Sequence, residues 1–485
     1  MVGAAMTTML TPRQERIRAL FDKLAPERGK WLARNRYFYE ADHAYMRFLI
    51  PAGARILEIG CGDAQLLAAL KPSRAVGVDM SAEMIRVARE KHPGFELHVG
   101  NAEDAATLAK IEGPFDYIVV SDTVGLIEDC QALFDLLRRC AGPECRLIVA
   151  YYSHLWDPVL HVAEALGLKM PQVPQNNLPT ADIANLLQLA NFEIVRREWR
   201  QLIPRRMFGL GSFINRFIAP LPGIRRLALR NYVVARPVVE KLKPAALPSV
   251  SVIVPCRNER GNIEPAVTRL PAFAPDIEIV FVEGHSKDGT FEECLRVQAA
   301  YPQHDIKVMR QDGKGKGDAV RKGFAAARGD ILMILDADLT VPPETLGKFY
   351  DALASGRGEF INGTRLVYPM EREAMRFLNN IANHAFAIMF SYLLNQRFTD
   401  TLCGTKVLWA RDYKRIETNR IYFGEFDPFG DYDLIFGAVK LNLKIVEIPI
   451  RYDARRYGET QISRFTHGWL LARMVLFAWR KLKAF

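Results

Sequence analysis

Asp336 and Asp338 stand one residue apart at the end of the run Ile331-Leu332-Met333-Ile334-Leu335. An unbroken apolar run bounded by charge predicts a strand buried on both faces of a mainly parallel sheet. Residues i and i+2 of an extended chain point the same way. Two carboxylates on one side repel, so the pair calls for a divalent cation or a bound hydroxyl. Just upstream, Gln311-Asp312-Gly313-Lys314-Gly315-Lys316-Gly317-Asp318 is a glycine-rich turn carrying two lysines. Such a turn can close over phosphates. The plainer readings are a solvated acidic turn and a solvated basic one. With the aspartate pair just beyond it, the phosphate-binding reading of the lysine loop is preferred to the solvated one.

The elements that must position these groups are legible around them. Ser249 to Pro255 reads as a strand, followed by the polar turn Cys256-Arg257-Asn258-Glu259. Asp276 to Val282 reads as the next strand, ending in Glu283. Further on come Asn362-Gly363-Thr364-Arg365, a long apolar helix over 374–398, and Asp400-Thr401-Leu402-Cys403-Gly404-Thr405-Lys406. Gly430-Asp431-Tyr432-Asp433 opens another helix. Arg451 to Arg464 is a basic stretch holding Arg455, Arg456, Gly458 and Thr460.

Taken in this order, the segments resemble a family 2 glycosyltransferase of the GT-A fold. The last stretch is similar to that of the dolichol- and polyprenyl-phosphate sugar synthases. The resemblance implies that Pro255, Arg257, Asn258, Glu259, Glu283, Lys314, Lys316, Asp318 and Asp336 hold a nucleotide sugar donor. It implies Mg²⁺ or Mn²⁺ on Asp338 and Asp336, and catalysis by that pair. Arg365, Arg455, Arg456, Thr460 and Arg464 are implied to hold a polyprenyl phosphate acceptor, with inversion at the sugar. A lipid phosphate is already anionic and is its own nucleophile. A sugar hydroxyl acceptor would need a base, for which Asp431 and Asp433 are the candidates.

The other half of the chain has a different signature. Arg55-Ile56-Leu57-Glu58-Ile59-Gly60-Cys61-Gly62-Asp63, with a helical Gln65 to Leu70, is strand, glycine turn, helix. Ala75 to Asp79 is a second strand ending in an acid, a place that commonly binds ribose hydroxyls. Apolar pieces ending at Val99 and Ser121, and a strand over Arg146 to Ala150, continue the alternation and predict a doubly wound α/β sheet. The turn lacks the third glycine of a nicotinamide fingerprint. These residues resemble a class I S-adenosylmethionine-dependent methyltransferase. The likeness implies that Glu58, Gly60 and Gly62 hold the amino-acid end of S-adenosylmethionine. It gives Asp79 the ribose, and puts Met80, Asn101, Ala102 and Ser121 along the rest of the cofactor.

The expected organisation is therefore a helical segment over 1–50, a methyltransferase domain over 51–200 and a basic, apolar linker over 201–247. A GT-A domain over 248–464 and an amphipathic helix over 465–485 follow. From Ile203 to Pro237 there are seven arginines and no acid, interleaved with aromatic and aliphatic residues. This composition suits an anionic membrane surface or an inter-domain linker. The acid-free tail poses the same choice between lipid and docking on the domain. A net charge of +10 favours anionic partners, and no nucleic-acid motif is visible. The seven cysteines form no CxxC pair, as in a reducing compartment. Without a signal-peptide core or a membrane-length apolar run, the expected place is the cytoplasmic side of a membrane, peripherally bound. The alternative function is glycosyl transfer to a saccharide hydroxyl beside an inactive methyltransferase-like docking domain.

Overall fold

The computed structural model describes residues 10–176, 178–239, 247–365, 367, 377–422, 430, 432–451, 453, 455, 457 and 464–484, without the side chains of 377–383, 421 and 464–468. The chain divides into two compact units between Val238 and Val239.

In the first unit, helices Pro12–Leu24, Arg28–Arg34 and Arg36–Leu49 precede the sheet. Thr11 caps the first of them by accepting from the Gln14 N–H at 3.2 Å. The strands are β1 (Arg55–Ile59), β2 (Arg74–Asp79), β3 (Glu96–Val99), β4 (Phe115–Ser121), β5 (Ala141–Tyr152), β6 (Phe192–Arg200) and β7 (Arg230–Pro237). Their order is β3-β2-β1-β4-β5-β7-β6. The first five run parallel, and β7 pairs antiparallel with β5 and with β6. Ile59 lies opposite Val78 and Val120, so β1, β2 and β4 end together. The chain runs from β1 outward through β2 to β3 and then crosses back to β4 on the other side of β1, and this reversal opens a crevice at the carboxyl ends of β1 and β4.

Strand β7 corrects the expected linker over 201–247. All eight of its residues are buried. Its arginines hid it in the sequence, because a charged residue at each end breaks the apolar signature of a core strand. Both charges are paired inside the unit. Arg230 meets Asp42 and Asp122, and Arg236 meets Glu193.

The second unit carries β8 (Val250–Cys256), β9 (Ile277–Glu283), β10 (Asp305–Arg310), β11 (Ile331–Ile334), β12 (Phe360–Thr364), β13 (Lys406–Trp409) and β14 (Ile445–Pro449). Their order is β10-β9-β8-β11-β13-β12-β14. Strands β8 to β11 are parallel, and β13 enters antiparallel between β11 and β12. Again the central strand, β8, stands at a switch point. The apolar run before Asp336 is completely buried, as the sequence predicts.

The helix Arg464–Leu482 answers the question posed by the tail. Leu471, Met474, Ala478 and Leu482 recur every three or four residues and are buried. Phe477 packs on Phe436 with ring centroids 6.3 Å apart. The helix therefore docks its apolar face on its own unit, leaving Trp469 and Leu476 exposed. Among the described residues, no helix is long and apolar enough to cross a membrane.

Candidate active sites

In the second unit the carboxyl ends of β8, β9 and β11 bring the expected donor groups together. Asp336 Oδ1 lies 2.6 Å from Lys316 Nζ, at the start of helix Lys316–Ala326. Burial works against the Asp336 charge, but Lys316 first, then Lys406 and Arg365, hold its carboxyl below the usual range. The glycine-rich loop is closed by Asp318, whose Oδ2 accepts from the Gly313 N–H at 2.8 Å. Lys314 is exposed on the same loop.

Asp338 sits in a charged triangle. Its Oδ2 is 2.8 Å from Arg455, which also lies 2.9 Å from Glu259 Oε1. Its Oδ1 accepts from the Thr340 hydroxyl at 2.8 Å. Burial, and Asp338 close by, push the Glu259 carboxyl up, while Arg455 and Asn262 oppose the shift. Among the described residues no three acidic, histidine or cysteine side chains gather as a metal cage. Two carboxylates suit a magnesium-like cation that takes its other ligands from a diphosphate and water, so Asp336 and Asp338 fit the metal.

The turns around the site are tied together by polar side chains. Asn258, at φ +56°, accepts from the Lys287 N–H at 2.9 Å, and its own N–H donates to Ser286 Oγ at 2.9 Å. Glu283 is buried and accepts from the Ser286 N–H. Pro255 is half-buried and Arg257 exposed.

Of the residues expected at the acceptor, Arg365 is bound to Asp400 through Nε at 2.6 Å and Nη2 at 2.9 Å, both largely buried. That pair holds the Asp400 carboxyl low against the effect of its burial. Asp433 lies in the first turn of helix Tyr432–Lys440, 3.3 Å from Arg420 and 3.9 Å from Arg321. Asp431, Arg456 and Thr460 lie outside the described residues. So does the side chain of Arg464, whose backbone opens the last helix.

Gly404 is a site residue that the sequence reading passed over. A Cβ there would lie 1.8 Å from Asp336 Oδ2 and 2.5 Å from Lys316 Nζ. The loop after Asp400 thus presses its backbone against the Asp336–Lys316 pair. Gly404→Ala is expected to displace that pair and cut sugar transfer at least about tenfold, a barrier rise of about 1.4 kcal/mol. Unchanged steady-state rates in this variant would remove Gly404 from the site.

In the first unit a single cavity is lined by every expected cofactor residue: Glu58, Gly60, Gly62, Asp79, Met80, Asn101, Ala102 and Ser121. Gly60 is at φ +71°, and a Cβ there would lie 2.1 Å from Thr123 Oγ1. Asp79 accepts from the N–H groups of Gly62 at 2.8 Å and Ser81 at 2.9 Å. Burial nonetheless pushes its carboxyl up. Glu58 is buried, its Oε2 meets no hydrogen-bond partner, and burial drives its pKa well up. A buried acceptor without a donor is costly. An ammonium group entering the cavity would satisfy it. These features fit S-adenosylmethionine.

The helices before the sheet also reach this cavity, which no motif announced. Arg28, Tyr39, Asp42 and His43 line it, with Asp122 just after β4 and Tyr152 at the end of β5. Behind them Arg230 Nε donates to Asp42 Oδ1 at 2.9 Å, and Nη2 donates to Ser121 Oγ at 2.9 Å. Asp79→Ala removes the expected acceptor for a ribose and the side chain that holds the Gly62 N–H. It is expected to weaken S-adenosylmethionine binding by about 1–3 kcal/mol. Wild-type affinity by calorimetry would move the cofactor elsewhere.

Two α/β sheets, one with a cavity and the other with a cluster of charged side chains at the switch point of its strand order, define a two-domain α/β protein. The methyltransferase domain model matches residues 32–197, and the glycosyl transferase family 2 model matches residues 251–430. The chain is 30% identical over 218 residues to a dolichol-phosphate mannosyltransferase of Pyrococcus furiosus, covering 44% of this chain and 59% of that protein. It is 30% identical over 199 residues to a dolichyl-phosphate hexose transferase of Haloferax volcanii, covering 41% of this chain and 79% of that one. Among solved structures, an S-adenosylmethionine-dependent methyltransferase of Thermotoga maritima, described as a possible histamine N-methyltransferase, is 17% identical. It covers 45% of this chain and 99% of that one, with a TM-score of 0.36. The chain belongs to glycosyl transferase family 2 and carries a methyltransferase domain ahead of the glycosyltransferase one. It spans less than two thirds of the length of the Pyrococcus relative.

Proposed function

We propose that the second unit transfers a sugar, with inversion, from a nucleotide sugar to a polyprenyl phosphate at a membrane surface. The first unit, in this reading, methylates an acceptor from S-adenosylmethionine. The observation that carries the sugar-transfer reading is the pairing of Arg455 with Asp338. The arginine suited to a lipid phosphate and the carboxylate suited to the donor's diphosphate stand 2.8 Å apart. Acceptor and leaving group would thus meet at one point.

Lys316 and the backbone of the glycine-rich loop receive the diphosphate, and Asp336 orients Lys316. Asp338, with Asp336 beside it, would hold a divalent cation, which would supply charge neutralisation for a departing nucleotide. Arg455 turns from Asp338 and Glu259 to hold the incoming phosphate, whose oxygen needs no base. Asp433 lies within ion-pair distance of Arg420 and Arg321, which favours a structural role for it over that of a base. In the first unit Glu58 receives the ammonium of the cofactor and Asp79 its ribose. S-adenosylmethionine, when bound, supplies a methyl group on a cationic sulfur.

The test is nucleotide release by the full chain with Mn²⁺ over a panel of nucleotide sugars, with and without polyprenyl phosphate. One donor is expected to release nucleoside diphosphate only when the lipid phosphate is present. Release driven by free saccharides and indifferent to the lipid would reject the reading.

A further inference from the structure

The first unit carries an exposed apolar and cationic face that its cavity and core do not use. Met207, Phe208, Leu210, Phe213, Leu221 and Leu227 are exposed, Phe208 at 113%. Met207 and Phe208 both have left-handed backbones, at φ +46° and +55°, which side-chain-bearing residues rarely adopt. Arg205, Arg206 and Arg226 are exposed within the same stretch, and no acid occurs from Ile203 to Pro237.

A second apolar row lies beside it. Leu155, Val159, Val162 and Leu166 are all exposed on and around helix Asp157–Ala165. Their spacing of four, three and four puts them on one side of the helix. Asp157 and Glu164 fall on the opposite side. Trp156 Nε1 donates to the Leu227 carbonyl at 2.8 Å, which ties the start of this row to the end of the arginine-rich stretch.

We propose that these two rows form one face by which the methyltransferase unit docks on an anionic phospholipid surface. Apolar side chains enter the boundary between headgroups and acyl chains, and the arginines meet lipid phosphates. The absence of acid from the arginine stretch, and the turning of the helix's acids to the far side, favour a negatively charged bilayer over a protein partner of mixed charge. The inference rests on the lipid-phosphate reading of the second unit, which places substrate at a membrane.

The experiment is co-sedimentation of the full chain with vesicles of phosphatidylcholine alone or with a quarter phosphatidylglycerol. Wild type is expected to bind the anionic vesicles, and added salt is expected to weaken that binding by screening. Phe208→Ser/Phe213→Ser and Val159→Ser/Val162→Ser should each reduce it about tenfold or more, with melting temperatures unchanged because all four positions are exposed. Undiminished vesicle binding in both pairs overturns the proposal. So does a face whose substitution instead dissolves a dimer in analytical ultracentrifugation. Sugar transfer to a short, water-soluble prenyl phosphate, assayed without vesicles, should be equal in wild type and variants. Its absence in wild type would count against the sugar-transfer reading alone, since vesicle binding is scored separately.

Discussion

Asp338→Asn is expected to lower sugar transfer by about 10³-fold, a barrier increase of about 4 kcal/mol. The carboxylate stands directly beyond β11, where a donor diphosphate would lie, and its Oδ2 is engaged by Arg455 at 2.8 Å. Asparagine keeps the shape and an acceptor oxygen for Thr340 but loses the charge that a cation requires. The fold should survive, because the apolar run before it is buried independently of the charge. S-adenosylmethionine affinity, measured by calorimetry on the same preparation, should equal that of wild type. EDTA should reduce wild-type transfer to a similar level. Full transfer in EDTA would dismiss the metal from the account.

Arg455→Ala is expected to raise the Michaelis constant for polyprenyl phosphate about 10–150-fold. This corresponds to the loss of a charge-assisted contact worth about 1.5–3 kcal/mol. The constant for the nucleotide sugar should change far less. A second signature follows from the charged triangle. Glu259 is already pushed up by burial and by Asp338, and Arg455 is the charge opposing that shift. Without the arginine the Glu259 carboxyl should rise further, moving the acid limb of the pH–rate profile to higher pH. Arg455→Lys should restore the pH limb more than the lipid affinity, since lysine keeps the charge but not the forked geometry. An unchanged lipid Michaelis constant in Arg455→Ala would refute the phosphate clamp.

The legible parts of this chain were those where burial writes a periodic or continuous pattern. The run Ile331–Leu335 and the glycine turn after Ile59 are such places, and their acids and glycines lie where the sheet topology puts ligands. Strand β7 escaped because Arg230 and Arg236 are paired by residues far away in sequence, and pairing of that kind leaves no local trace. The same reason hid Asp42 and His43 at the cofactor cavity and Gly404 against Asp336. Arg455 stood out in the sequence only as part of a basic stretch, and its attachment to Asp338 and Glu259 was not legible, since 117 and 196 residues separate them. The tail was legible as amphipathic. Only the packing of Leu471, Met474 and Ala478 decided that its apolar face belongs to the protein itself.

The most direct measurement is mass spectrometry of the lipid extract after the full chain, Mn²⁺ and its preferred nucleotide sugar have been incubated with a polyprenyl phosphate. A species heavier than the lipid phosphate by one sugar residue is expected, absent with Asp338→Asn and sharply reduced with Arg455→Ala at low lipid concentration. Consumption of the donor with the lipid phosphate recovered at its original mass, and the sugar found on an added saccharide hydroxyl, would contradict it.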